Sequence, residues 1–578
     1  MIEREVRGPV APKDPVKKRP FYYIMRKKKV LGSPQADGRG IQFIFESDGR
    51  LEASAKLVGN LTDETMIREL STAEGFKKQV NSIGVVVTRA GEPVNVRFAF
   101  QMYGVKDPYV SGTTLFMDTL SDGMERVLDL SNADWYGDDR IPGQIRFEFE
   151  TAGLEAEVTV CLYLNDGYTA PQQTEDKPID FKSEKYRAII ERSILQKGNI
   201  HRVKSALERA KKGEEVTVAF IGGSITQGAG AIPINSECYA RKIFEGFCDL
   251  TDREYDDNVK YVKAGLGGTP SELGMLRYDR DVLAGGRITP DVVIVEFAVN
   301  DEGDETQGDC FDSLVRKIYN GPENPAVILL FSVFADDGNL EERLKPVGFA
   351  YDLPMVSVKQ AVTPQFYKSE EEGRVITKNQ FFYDMYHPTN AGHRIMADSV
   401  LKLFKLADES EDMPELSIAD IKPPKSADFE DVYFVGRDDI NNSRAVRSFN
   451  EGAFLFKDTE LHRAERNMDL FGTPEFPDNW MYDGNKAEGR EATFTLNVFC
   501  RRLLLTYMDS ASPEVGTVVI TDNGKEVLKI DPHIVGWTHA NARIIVRNDE
   551  PGEHEIKITV PTEDIGRKFT ILGFGIVD

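Results

Sequence analysis

Apolar residues recur with a period of two through the first part of the chain, in Ile41-Gln42-Phe43-Ile44-Phe45, Val94–Phe100, Ile145–Phe149 and Ala156–Leu162. Alternation of this kind, broken by Gly, Pro, Asn and Asp, predicts antiparallel strands with one face buried. It points to an N-terminal β-sandwich, jelly-roll-like, over residues 1–180. From Ser183 the period becomes helical, with Tyr186, Ile189, Ile190 and Ile194, then Val203, Ala206 and Leu207. The segments that follow are short, wholly apolar runs: Val216–Ile221, Val259–Ala264, Val292–Val299, Ala326–Val333 and Met355–Val358. Buried strands alternating with helix-compatible stretches predict a parallel sheet between two helical layers, a flavodoxin-like α/β/α domain over 181–407. Acidic and proline-containing sequence at 408–428 reads as a linker. Alternation returns in 429–578, with Asn523-Gly524 and Pro551-Gly552 as turns, and predicts a second β-sandwich.

The run Val216–Ile221 breaks into Gly222-Gly223-Ser224-Ile225-Thr226, and Ser236–Leu250 then carries Ala240, Ile243, Phe244, Phe247 and Leu250 at the spacing of one helix face. Strand, glycine turn with serine, then helix is a unit that holds up a side chain. The Gly-Lys-Ser/Thr ending of a phosphate-binding loop is missing, so the local sequence leaves a tight connection and a nucleophile as the two readings.

Three further segments change that balance. The run Val292–Val299 leads into Asn300-Asp301 and Val259–Ala264 into Gly265-Leu266-Gly267-Gly268-Thr269, both at the sheet edge where Ser224 emerges. Near the end of the domain stands Asp384-Met385-Tyr386-His387-Pro388. Residues three apart in a turn can approach on one side, which lets Asp384 accept a hydrogen bond from the His387 ring and fix its tautomer. A serine alcohol needs a base, the base needs orienting, and a tetrahedral oxyanion needs donors; all three requirements are met at strand ends.

Composition adds limits. The chain has 578 residues, 41% hydrophobic, 29% charged and 10% aromatic, as expected of a folded multidomain protein. Its net charge of -24 argues against extended contact with nucleic acid or an anionic membrane, and the basic run Arg26–Lys29 reads as a solvated surface. No apolar segment reaches membrane-spanning length, and the first residues show no signal-peptide core. Five scattered cysteines without metal or redox spacing are expected to be reduced, and a cytoplasmic location follows. Glu296 and Arg277 are read as a structural pair, Glu302, Asp304 and Glu305 as a solvated acidic loop, and His393 as a surface or capping residue. His201, His462, His533, His539 and His554 stand outside the catalytic segments, and Trp135 and Tyr136 read as packing before sugar stacking.

The central segments resemble those of the SGNH (GDSL-type) hydrolases, whose four blocks correspond to Gly222–Thr226, Gly265–Thr269, Ala298–Asp301 and Asp384–Pro388. The resemblance implies Ser224 as nucleophile, His387 as base and Asp384 as its orienter. It also implies an oxyanion hole of the Ser224 and Gly268 N–H groups and the Asn300 amide, with Gly267 as the neighbouring alternative to Gly268. This sequence departs from the family pattern at Gly223, where an Asp is usual, and at Lys263, where an Asn often stands. No metal or cofactor is implied. Members with β-sandwich appendages are often carbohydrate acetylesterases, so the expected substrate is an acetylated xylan- or mannan-derived oligosaccharide. A homo-oligomer is compatible with the sequence. A lipid or thioester acylhydrolase, and a carbohydrate-binding protein with a decayed esterase domain, are the alternatives; an intact Ser224, Asp384 and His387 disfavour the second.

Overall fold

A computed structural model describes residues 19–255, 258–464, 472–487 and 489–578. The proline- and lysine-rich start of the chain lies outside these. The chain forms two compact units: Met1–Phe181 with Gly230–Pro233 and Gln365–Gly392, and Lys182–Ala229 with Ile234–Pro364 and His393–Asp578.

The first unit holds two antiparallel sheets. One pairs strands Phe21–Leu31, Glu155–Leu164, Val80–Thr88 and Arg126–Asp129; the other orders Ser33–Pro34, Gly40–Phe45, Asp139–Phe149, Asn95–Gly104 and Thr114–Leu120. Alternate side chains of both, among them Ile24, Val85, Val158, Phe98 and Phe147, fill one core. Between Gly40–Phe45 and Val80–Thr88 the chain is helical, which the strand reading did not anticipate: Arg50–Leu57, Glu64–Glu69 and Ala73–Gln79. Their start signals were local. Asp63 accepts from the N–H of Thr65 and Met66, and Thr72 from that of Gly75, each satisfying donors that a helix leaves unpaired.

In the second unit a six-stranded sheet runs in the order Ile194–Gln196, Met355–Ser357, Ala326–Phe331, Val292–Glu296, Val216–Gly222, Val259–Gly265. All but the Ile194–Gln196 edge are parallel. Counting from Val216–Gly222 as the first parallel strand, the order is 2-1-3-4-5, so strand order reverses between Val216–Gly222 and Val292–Glu296. That switch point is where open α/β sheets bind ligands. The strand expected to reach Val299 stops at Glu296, because Asn300 and Asp301 donate their N–H groups back to Phe297 O and close a turn.

A further eight-stranded sheet lies in 433–577. Its long strand Thr493–Asp509 divides its side chains: Leu503, Leu505 and Tyr507 enter a core with Trp480, Phe494 and Phe574, while Leu504 and Met508 enter the core of the parallel-sheet domain with Leu276 and Phe311. Ile418, from the acidic, proline-containing stretch, and Phe429, just after it, are buried in that same core. All five cysteines are buried, and none forms a disulfide. Among the described residues no helix is long and apolar enough to cross a membrane.

Candidate active site

Strand Val216–Gly222 is buried throughout and passes through Gly223 into the single helical turn Ser224–Gln227. Both glycines are required by crowding. A Cβ on Gly222 would lie 2.4 Å from Glu296 O, and one on Gly223 would lie 2.0 Å from Asn300 Oδ1. The Gly223 departure therefore has a local cause: the space that a side chain would take is filled by the Asn300 amide. Asn300 is thus seated directly beside the serine turn, across the strand switch point.

The loop after Val259–Gly265 closes on the same place. The ideal Cβ position of Gly267 is 3.9 Å from Ser224 Cβ. Gly267 donates its N–H to Gln227 Oε1 at 2.7 Å, whereas among the described residues no acceptor takes the N–H of Gly268. Gly268 has φ +71°, a conformation favouring glycine. Ser224, Gly267, Gly268 and Asn300 are therefore brought together within the second unit. Arg277, buried, ties the floor of this site by donating to Ala264 O and Gly222 O, each at 2.7 Å, and pairs with Asp281. It is not the partner expected for Glu296, which accepts instead from Thr226 Oγ1 at 3.2 Å. Burial pushes the Glu296 carboxyl up to about 7 against the hydrogen bond from Thr226. Lys263 is buried too, its Nζ donating to Asn235 Oδ1 and Gln227 O.

Asp384 and His387 meet within the first unit. Asp384 Oδ1 accepts the N–H of Tyr386 at 2.8 Å and of His387 at 2.9 Å, folding the turn, and both carboxylate oxygens lie 3.0 Å from His387 Nδ1. Burial alone would raise the Asp384 carboxyl. The His387 ring, Arg50 and the Tyr386 N–H outweigh it and hold the group well below the usual carboxylate range. Gly230 backs the turn, since a Cβ there would lie 2.1 Å from Pro388 O and 3.1 Å from His387 Cβ. Phe381 and Phe382 are core, their rings 4.7 Å apart, while Tyr386 is exposed with its ring 6.1 Å from that of His387.

Two histidines set aside by the sequence reading stand at the glycine loop. A Cβ on Gly268 would lie 2.9 Å from His539 Nε2 and 3.0 Å from Trp537 Cζ2, and the His462 ring is 4.9 Å from that of His539. His539 Nδ1 faces Asn541 Oδ1 at 2.8 Å, and His462 Nδ1 accepts the N–H of Ala540 at 3.3 Å. Burial pulls His539 down to about 4 and His462 well below its ordinary value, so both rings are neutral at pH 7. Trp537 keeps 42% of its surface exposed over the loop. No spacing signal links these residues to Gly268; their sequence mark is only a Trp-Thr-His cluster in an otherwise alternating strand region. His393, expected at the surface, is fully buried: Nδ1 accepts the Tyr239 N–H and Nε2 faces Ala229 O at 3.0 Å.

The acidic loop is solvated at Glu302 and Glu305, as expected, but not at Asp304. Asp301 and Asp304 are buried, Asp301 accepting from Ser271 N–H and Oγ–H and Asp304 from Thr306 and Gly308; the exposed Glu305 pairs with Arg543. Glu272, Asp304 and Cys310 bring one ligand atom each within 4.8 Å of one another. Burial drives the Glu272 carboxyl well above its ordinary range. Trp135 packs against Phe100 with Lys77 Nζ 4.5 Å above its ring, and Tyr136 is exposed.

Residues 220–395 match the GDSL-like Lipase/Acylhydrolase family. A two-domain esterase (CEX) active on acetylated mannans, co-crystallised with mannopentaose, is similar at 25% identity over 67% of this chain and 98% of that chain, with a TM-score of 0.55. A second structure of a two-domain esterase (CEX) active on acetylated mannans matches at 25% identity over 67% of this chain and 99% of that one, again with a TM-score of 0.55. No curated protein matches this chain.

Proposed function

We propose that the chain, whose residues 220–395 match the GDSL-like lipase/acylhydrolase family, acts as an SGNH-type carboxylic ester hydrolase that removes acetyl groups from plant-type oligosaccharides, mannan- or xylan-derived, through an acyl-serine intermediate. Ser224 Oγ attacks the acetyl carbonyl while His387 Nε2 takes its proton. The carbonyl oxygen gains the negative charge and is stabilised by the N–H groups of Ser224 and Gly268 and the amide of Asn300. Collapse breaks the ester bond. The sugar hydroxyl leaves with the proton returned by His387, and acetyl-Ser224 remains. Water, deprotonated by His387, then attacks the same carbonyl and releases acetate.

The observation that carries this reading is the seating of the His387 ring, with Nδ1 at 3.0 Å from both oxygens of a buried, ionised Asp384. Such a contact keeps the proton on Nδ1 and leaves Nε2 basic. The donor side supports it as well, since Gly268 retains its N–H while Gly267 does not. Chain continuity is also favourable: Gly230, which backs His387, follows Ser224 by six residues. For the sugar, support comes from Trp537, an exposed ring beside Gly268 of the kind that stacks on pyranose faces, with two neutral histidines next to it. The similarity to an esterase active on acetylated mannans puts manno-oligosaccharides first. We retain 1–180, 181–407, 408–428 and 429–578 as the modules of this reading, the flanking ones as jelly-roll-like sandwiches.

Incubation with acetylated manno- and xylo-oligosaccharides, read by mass spectrometry, is expected to show stepwise loss of acetyl groups. Ser224→Ala should lower turnover by roughly 10⁴-fold or more, as loss of a triad nucleophile generally does. Retained sugar binding with no acetate release by the parent protein would replace this reading with that of a carbohydrate-binding protein.

A further inference from the structure

The loop that carries Asp384 is anchored inside the first unit by two cations from the N-terminal β region, at positions that no esterase motif includes. Lys28, on strand Phe21–Leu31, is buried and donates from Nζ to Asn379 O at 2.9 Å and Phe382 O at 2.8 Å. Arg50 begins the helix Arg50–Leu57 and turns its Nη1 to within 3.7 Å of Asp384 Oδ2. That separation is too long for a hydrogen bond and short for a charge. With side chains 21% and 6% exposed, the pair is largely shielded from solvent.

We propose that Arg50 is a positioning residue for the hydrolysis assigned above, setting the strength with which Asp384 holds the ring of His387, so that the N-terminal β region takes part in turnover. This rests on the reading of Asp384 and His387 as orienter and base. Among the described residues the groups facing Asp384 are few: the His387 ring, Arg50, Lys28, Tyr383 and Glu46. Glu46 is buried, and burial pushes its carboxyl up to about 8, so at pH 7 it adds no full negative charge. Burial lowers Lys28 to about 8 while Asp384 and Asp176 oppose that fall. Asp48 lies 3.8 Å from Arg50 Nη2, with 55% of its side chain exposed. Lys28 also stays largely protonated at pH 7 but gives its Nζ to Asn379 O and Phe382 O, so among the described residues Arg50 is the cation from the N-terminal side within 4 Å of the carboxylate.

The sign follows from Coulomb's law. A cation beside Asp384 cancels part of the field that the carboxylate exerts on a protonated imidazole. Removing it strengthens that field, the imidazolium persists to higher pH, and the base form becomes available later. Arg50→Met is thus expected to move the acidic limb of the kcat/KM profile, measured with a small aryl acetate, upward by about half a pH unit or more, roughly a threefold loss on the limb. Arg50→Lys should restore the limb, because the interaction is one of charge and not of fork geometry. The limb's position does not depend on the fraction of enzyme folded, so partial misfolding cannot imitate the shift. An Arg50→Met profile with an unmoved limb overturns the inference, as does an Arg50→Lys limb displaced as far as that of Arg50→Met. His387→Gln is measured alongside. If it keeps wild-type turnover the base assignment falls and takes the inference with it; if it is inactive and the Arg50→Met limb is unmoved, only the inference falls.

Discussion

A methyl group on Gly268 is a small change with two distinct costs. It forces a side chain into φ +71° and presses Cβ to 2.9 Å from His539 Nε2 and 3.0 Å from Trp537 Cζ2, both fixed ring atoms. The N–H proposed as oxyanion donor would be turned from its aim, so Gly268→Ala is expected to lose on the order of 10²-fold in kcat on an aryl acetate. Gly267→Ala presses tightly only on Gln227 Oε1, at 3.2 Å, the end of a flexible side chain, with His462 Nε2 and Ser224 Cβ at an ordinary 3.9 Å, and should lose far less. Equal losses in the two variants would remove the distinction between the glycines. At this scale the serine and the asparagine were legible because each stands where an apolar strand run breaks, and the Asp-x-x-His pair because of its spacing. Arg50, His462, Trp537 and His539 were not. They reach the dyad or the glycine loop across more than 70 residues of intervening chain, and no local periodicity records such a meeting.

Among the elements, the carboxyl ends of Val216–Gly222 and Val259–Gly265 are held in register by one guanidinium. Arg277→Leu would take the guanidinium from Ala264 O and from Gly222 O, which keeps the N–H of Leu266, and leave Asp281 with Arg280 alone, all in a buried setting. Loss of one partner from such a network costs about 3 kcal/mol or more. The expected result is a large fall in the urea midpoint, with turnover of the remaining folded enzyme also reduced because the serine turn rests on Gly222. An unfolding free energy within about 0.5 kcal/mol of the parent, roughly the range of surface substitutions, would show the clamp to be dispensable. Strands and helices of the parallel sheet were readable from their apolar runs. Their exact ends were not: Val292–Glu296 stops short of the apolar Phe297-Ala298-Val299, which stays buried in a turn closed by backbone hydrogen bonds. The helices of 50–79 were missed because each is short, although Asp63 and Thr72 marked their starts.

Over the whole molecule, the sheet of 433–577 and the parallel sheet share a core inside the second unit. Leu504 and Leu572 pack with Leu276 and Phe311, and a Cβ on Gly575 would lie 2.3 Å from Leu276 Cδ2. Burying one core together makes their unfolding cooperative. Leu504→Ala should therefore cost about 2–5 kcal/mol and shift the loss of esterase activity and the loss of near-UV circular dichroism from this sheet together. Separate transitions, with activity untouched, would mean that the two sheets melt independently. The stretch after Glu409 reads as polar and acidic, yet Ile418 and Phe429 seal this core; two apolar side chains in a polar run carry no periodic signal.

The sequence by itself determined which segments are strands buried on both faces, which alternate, and which reactive side chains stand where apolar runs break, because these depend on neighbours a few residues away. Only the tertiary structure decided that Gly267 spends its N–H on Gln227 while Gly268 does not, that Arg277 serves two strand ends and not Glu296, and that Arg50 faces Asp384. Those outcomes depend on charges and donors meeting across long stretches of chain, and such meetings are set by packing, which the linear order of residues does not spell out.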